Sequence, residues 1–304
     1  MPTASPSHPH RSDTGAKDPP SRAPGRILVV SNRLPFAVEI DGDEVRSRRT
    51  VGGLVSGVDG YLRTRAGAAQ DEVAWVGWPG IAVGEGERPQ VRAAVRAEHG
   101  AFPVFLDDEE VERFYDGFCN GTLWPLLHYF PSLVRLEERD WAAYVRVNER
   151  FRDAVLEALE PGDTVWVHDY QLMLLPGLLR SARPDLPIAF FLHVPFPAFE
   201  VFRILPDAWS RALIHGVLGA DVVGLHTLDY ARHFLRSADR LAGVETTAGE
   251  VRHGSRVTHV DAFPLGVDFP RHATAAATMP KCNAAQANRG SARNARGRRS
   301  PASP

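Results

Sequence analysis

The sequence predicts an α/β chain built around a mostly parallel sheet. Two observations carry the prediction. Short apolar runs rich in β-branched residues recur between residues 26 and 269, and stretches with helical period separate them. Strands that alternate with helices imply a parallel sheet covered on both faces.

The elements follow in order. RILVVSN (26–32) reads as a buried strand, and GGLVSGVDGYLRTR (52–65) opens on glycines and takes a helical period. VAWVGWP (73–79) reads as a strand, RPQVRAAVRAEHG (88–100) as a helix stopped by Gly100, and FPVFL (102–106) as a strand. DDEEVERFYDGF (107–118) reads as a helix with acids in its first turn, where the positive end of the helix dipole favours them. The segment 137–159 is the clearest amphipathic helix, with PGD (161–163) beyond it. Next come strand 164–169, helix 171–182, strand 187–193, helical segments over 199–218, strand 221–226 and helix 227–243. A short β section, 256–268, ends the part that can fold.

Composition narrows the function. The 304 residues are 44% hydrophobic, enough for a sizeable core, and no apolar run approaches the ~18 residues of a membrane span. A formal charge of −2 gives no reason to expect nucleic acid or a membrane surface as partner. Two distant cysteines, Cys119 and Cys282, make a disulfide framework unexpected and fit a reducing cytoplasm. Residues 1–25 are polar, rich in Pro and Ser, lack a signal-peptide core and read as a disordered tail. From 270 to 304 there is no Leu, Ile, Val, Phe, Trp, Tyr, Asp or Glu, while Arg and Lys recur. That segment reads as a basic low-complexity tail or as out-of-frame sequence; without interleaved aromatics a nucleic-acid arm is disfavoured.

Polar residues gather where the predicted strands end. In an open α/β sheet, ligands bind beyond the carboxyl ends of the strands. SNR (31–33) ends the first strand, and GG (52–53) opens the next helix, where backbone can approach a phosphate. Arg33 offers either a forked cationic contact or a surface ion pair. There is no GxGxxG and no P-loop, which argues against a dinucleotide cofactor. FYDGFCNGTLWPLLHY (114–129) packs Tyr115, Asn120, Trp124 and His128 together, a mixture that suits sugar rings but also ordinary core. In WVHDYQLMLLP (166–176), Asp169 is a helix N-cap or a partner for a sugar hydroxyl. In FFLHVPFP (190–197), His193 is a satisfied turn residue or a site residue held by the two prolines. The convergence of these sites points to a cleft for a sugar and a phosphate.

SNRLP, GGL, FYDGFCNGTLWPLLHY, WVHDYQLMLLP, FFLHVPFP and AFPLGVD, in this order, resemble the N-terminal half of the trehalose-6-phosphate synthase family over about 26–268. The resemblance implies the Rossmann-like N-terminal domain of a GT-B retaining glycosyltransferase. It implies glucosyl transfer from UDP-glucose to glucose 6-phosphate, giving trehalose 6-phosphate and UDP, with no metal or further cofactor. It places Arg33, Tyr115 and Trp124 on the acceptor and Gly53 against the donor phosphates. Asp169 and His193 fall around the transferring glucose and the acceptor as catalytic residues, His193 also as a donor contact. The family's second Rossmann-like domain, with its Arg and Lys for the UDP phosphates, has no match in the sequence. The expectation is an acceptor-side half, inactive alone, that forms a homo-oligomer or associates with a full-length synthase. Two alternatives stand beside it: a glucosylglycerol-phosphate synthase, and a non-catalytic sugar-phosphate-binding or regulatory subunit.

Overall fold

The computed structural model describes residues 25–41, 44–49, 73–264, 266 and 273–274. The predicted helix 52–65, Gly53 and most of both tails lie outside the described residues. The chain divides into two units, Met1–Pro264 and Leu265–Pro304. The description below concerns the first.

Among the described residues, nine strands form one sheet. In chain order they are β1 (Ile27–Arg33), β4 (Val73–Trp78), β5 (Ala101–Pro103), β6 (Thr164–His168), β7 (Ile188–Phe191), β8 (Val222–Leu225), β9 (Glu245–Thr247), β10 (Glu250–His253) and β11 (Arg256–Ala262). Their order across the sheet is β5-β4-β1-β6-β7-β8-β11-β10-β9, parallel from β5 to β11 and antiparallel for β10 and β9. β2 (Phe36–Asp41) and β3 (Glu44–Arg49) pair as a separate antiparallel hairpin. From β1 the chain crosses to β4 and β5 on one side, then returns to β6, β7 and β8 on the other. The switch in strand order therefore falls at β1 and β6, where such sheets open a crevice.

Burial explains the strand sequences. Leu28, Val29 and Val30 of β1 and Val165 and Val167 of β6 are fully buried, as a strand covered on both faces requires. The covering helices are α1 (Arg88–His99), α4 (Glu138–Ala158), α5 (Leu175–Ala182), α7 (Asp207–Val217) and α8 (Leu228–Ala242), with single turns α2 (Asp108–Glu110), α3 (Trp124–Leu127) and α6 (Phe199–Phe202). Gly100 and Gly243 end α1 and α8 in left-handed conformations, and the Thr227 hydroxyl caps the start of α8.

Several elements differ from expectation. The strand expected over 102–106 pairs only at Ala101–Pro103; Val104, Phe105 and Leu106 are buried without continuing it. Apolar runs report burial, and here burial outlasts pairing. The helix expected over 107–118 is one α turn followed by a π-helix, Val111–Leu123, whose C-terminal Trp124 N–H reaches back five residues to the Cys119 carbonyl. The segment 171–182 opens with a 3₁₀ turn, Tyr170–Leu172, before α5. The β2–β3 hairpin and the β9–β10 pair are additional elements.

Helices α5 and α7 cross backbone to backbone. A Cβ on Gly216 would overlap the Met173 carbonyl, and one on Gly177 would sit 3.0 Å from the Gly216 Cα. Gly216→Ala should therefore destabilise the protein by about 1–3 kcal/mol through overpacking. A urea midpoint unchanged from wild type would contradict that crossing.

Candidate functional site

The candidate residues stand at the C-terminal ends of β1, β6, β7 and β8. At the end of β1, the Arg33 guanidinium lies 4.7 Å from the centre of the Trp78 ring and 5.7 Å from that of Tyr115. Cation–π contact holds the guanidinium against both rings, whose own centres are 6.4 Å apart. Trp78 is itself fixed, donating its indole N–H to the Ile81 carbonyl at 3.0 Å.

Tyr115 comes from the π-helix, and two glycines explain how that helix fits. A Cβ at Gly117 would sit 2.6 Å from the buried Asp140 carboxylate, and one at Gly121 would overlap the Arg135 guanidinium. Asp140 faces Arg113 at 3.6 Å, and Arg135 donates to the Asp116 carbonyl at 3.0 Å. Both ion-bearing side chains lie flat on the helix where the glycines leave room. The same helix supplies Asn120, whose Oδ1 accepts from the Tyr170 hydroxyl at 3.2 Å. The buried Cys119 thiol is pushed well up by burial and then by the nearby Asp169 and Asp116 carboxylates. It is an unreactive thiol.

At the end of β6 the backbone is strained. Asp169 has φ 73° and ψ 172°, a region that non-glycine residues rarely enter. Its side chain does not cap the turn that follows; Oδ1 instead accepts from the His193 main-chain N–H at 3.1 Å. The buried face of α4 holds this turn in place. The Tyr144 hydroxyl donates to the Tyr170 carbonyl at 2.8 Å and accepts from the Met173 N–H at 3.0 Å. Asn148 donates to the Gln171 carbonyl at 3.1 Å.

The loop after β7 is tied from two sides. The Ala198 N–H donates to the Tyr129 hydroxyl at 2.9 Å, and His233 Nδ1 lies 3.1 Å from the Phe196 carbonyl. Tyr129 also has a positive φ, 64°. His193 is half-buried at the start of this loop. Its Nε2 lies 2.9 Å from Nδ1 of the fully buried His168, and its ring centre is 5.9 Å from that of His226 at the end of β8. Among the described residues no three His, Cys, Asp or Glu side chains converge as metal ligands.

The geometry therefore joins Asp169 to His193 and Arg33 to Tyr115, with Asn120–Tyr170 linking the two groups. Trp124 stands apart: it is 40% exposed and stacks on His128 at 4.2 Å and Phe130 at 6.3 Å. Gly53 lies outside the described residues. Trp78 and His226 were not among the expected site residues, although each ends a strand just as Arg33 and His193 do. A cavity of about 680 Å³ opens at the opposite end of the sheet, lined by Glu160, Asp163, Asp185 and Arg183. None of the candidate residues lines it.

Burial raises the Asp169 carboxyl to about 6, against the N–H groups of His193 and Tyr170, which lower it. Burial, then His226, lowers His193 to about 4, and burial, then His193, lowers His168 well below its ordinary value. At neutral pH the site thus holds one carboxylate and neutral imidazoles. These shifts oppose each other in stability. The Asp169 contribution is full below its ordinary 3.8 and is lost as pH rises through about 6. The unfolded chain binds protons at its histidines more readily, so their effect is a gain in stability as pH rises from about 4 to 6.5. Asp169→Asn removes the first slope and leaves the second. Its urea midpoint should climb more steeply than that of wild type between pH 4 and 6; parallel profiles would contradict the assignment.

The model of glycosyltransferase family 20 matches residues 25–288, beyond Asp268 where the quoted motifs end. An α,α-trehalose-phosphate synthase [UDP-forming] of Aspergillus fumigatus is 43% identical over 248 residues, 80% of this chain and 47% of that protein. The crystal structure of an α,α-trehalose 6-phosphate synthase from Burkholderia multivorans superposes with a TM-score of 0.71 at 32% identity, covering 88% of this chain and 55% of that one. A synthase from Burkholderia xenovorans in complex with glucose-6-phosphate superposes with a TM-score of 0.63 at 29% identity, covering 80% and 50%. The chain spans between 32% and 50% of the length of the curated relatives it matches. The parallel sheet with its switch at β1 and β6 is the Rossmann-like N-terminal domain of those structures, and over 25–288 the chain belongs to glycosyltransferase family 20.

Proposed function

We propose that this chain carries the acceptor side of a retaining glucosyltransferase that moves glucose from UDP-glucose to glucose 6-phosphate. The observation that carries the reading is the set of strand-end groups: a cation against two aromatic rings at the end of β1, and a carboxylate tied to the main chain of His193 at the ends of β6 and β7, in a family whose solved members include one with glucose-6-phosphate bound. Arg33 suits the phosphate, because a guanidinium offers forked donors to its oxygens. The Tyr115 ring suits an apolar sugar face. Asp169, ionised at neutral pH, accepts from sugar hydroxyls, and His193 stands next to it. We assign Trp124 to the rim of the acceptor site and Gly53 to the donor phosphates by family resemblance. Catalysis on this reading is positioning and charge stabilisation, with the acceptor attacking the face from which UDP leaves.

The resemblance places the Arg and Lys for the UDP phosphates in a second domain, outside the stretch that carries the quoted motifs. The reading therefore gives these 304 residues sugar-phosphate binding without turnover on their own.

Titration calorimetry tests the acceptor assignment. Glucose 6-phosphate should bind the folded chain, and Arg33→Ala should weaken it about 10- to 100-fold, the worth of a charge-assisted contact. Glycerol 3-phosphate should bind more weakly, which separates this acceptor from that of a glucosylglycerol-phosphate synthase. No heat with glucose 6-phosphate, or equal binding by Arg33→Ala, would overturn the reading. Acceptor-dependent UDP release from the chain alone would refute binding without turnover.

A further inference from the structure

The pair His168–His193 has one proton placement that the surroundings favour. His168 is fully buried, and its Nε2 has no hydrogen-bond partner. Its Nδ1 lies 2.9 Å from His193 Nε2, so one of these nitrogens donates and the other accepts. If His193 donated, His168 would carry its proton on Nε2, leaving a buried N–H with no acceptor. Unpaired buried donors are rarer than unpaired acceptors. If His168 donates from Nδ1, only a lone pair is left bare, in a pocket where the Trp166 ring centre is 4.5 Å away. His193 then accepts at Nε2 and carries its own proton on Nδ1. That nitrogen has no partner among the described residues and is not one of the buried orphans.

We propose that His168 is a positioning residue: it donates from Nδ1 to His193 Nε2 and so fixes His193 as an Nδ1–H donor whose N–H takes no partner among the described residues. The consequence is a matched pair. Asp169 accepts the His193 main-chain N–H at Oδ1, and the Tyr170 N–H also faces its carboxylate; a carboxylate has about four lone-pair sites, so acceptor capacity remains on the residue that holds the His193 main chain. An acceptor together with a neutral donor fits a hydroxyl, which both gives and takes a hydrogen bond at a single atom. The tautomer stands on the geometry alone; that the hydroxyl belongs to a sugar phosphate rests on the function proposed above.

The test is long-range ¹H–¹⁵N correlation of the histidine rings in the ¹⁵N-labelled 304-residue chain, with His193→Gln to assign the signals. Protonated and bare ring nitrogens resonate far apart, so the pattern reports which one holds the proton. Wild type should show His193 with its proton on Nδ1 in at least tenfold excess. His168→Leu should collapse that excess into a mixture of tautomers. His168→Asn, whose amide N–H takes the place of Nδ1–H, should restore it. A wild-type His193 protonated on Nε2 overturns the proposal, as does an unchanged tautomer in folded His168→Leu. Should the leucine variant fail to fold, the wild-type spectrum and the asparagine variant decide alone. In parallel, glucose 6-phosphate affinity should fall several-fold in His168→Leu and recover in His168→Asn. An Nδ1–H tautomer in a chain that binds no glucose 6-phosphate leaves the proposal standing and removes only the function proposed above.

Discussion

The hydrogen bond from the His193 N–H to the Asp169 carboxylate ties together the ends of two neighbouring parallel strands. Much of the site depends on it. Asp169 accepts this bond from a backbone conformation that its side chain does not favour, and such strain persists only where the surroundings over-determine it. Here Tyr144 and Asn148 supply the constraint by holding the main chain of the following turn from beneath. His193 is held in turn through its main chain by Asp169 and through its ring by His168. Helix α4 thus sets the position of both groups.

The second constraint is space. The π-helix brings Tyr115 to Arg33 and Asn120 to Tyr170, and it can do so because Gly117 and Gly121 let Asp140 and Arg135 lie against it. π geometry is uncommon and concentrates at functional sites. Here it carries the densest motif of the chain. The strands contribute a different order. Because β6, β7 and β8 run parallel side by side, a polar residue at each C-terminal end falls into one row: His168, His193, His226.

The fold was largely legible because its signals are local. Buried parallel strands read as apolar runs such as ILVV and TVWV, and α4 and α8 read from their period and stop signals. The hairpin β2–β3 is written as FAVEID, alternating and followed by Gly42, a turn signal outside the apolar runs. The candidate site was read as a class of place, strand ends, and Arg33, Asp169 and His193 do stand at or just beyond the ends of β1, β6 and β7. The rule applied one residue at a time passed over Trp78 and His226. No sequence pattern could show that Asp169 reaches across to the next strand instead of capping its own turn. Nor could one show π winding, since the helical period was read as α. Both depend on contacts between segments distant in sequence.

The central claim is that the C-terminal strand ends, and not the cavity at the opposite end of the sheet, form the sugar-phosphate site. A crystal structure of the chain soaked in glucose 6-phosphate tests this most directly. The account predicts the phosphate against Arg33 and a sugar hydroxyl between Asp169 and His193. Density for the ligand among Glu160, Asp163 and Arg183 instead, with the strand ends empty, would contradict it.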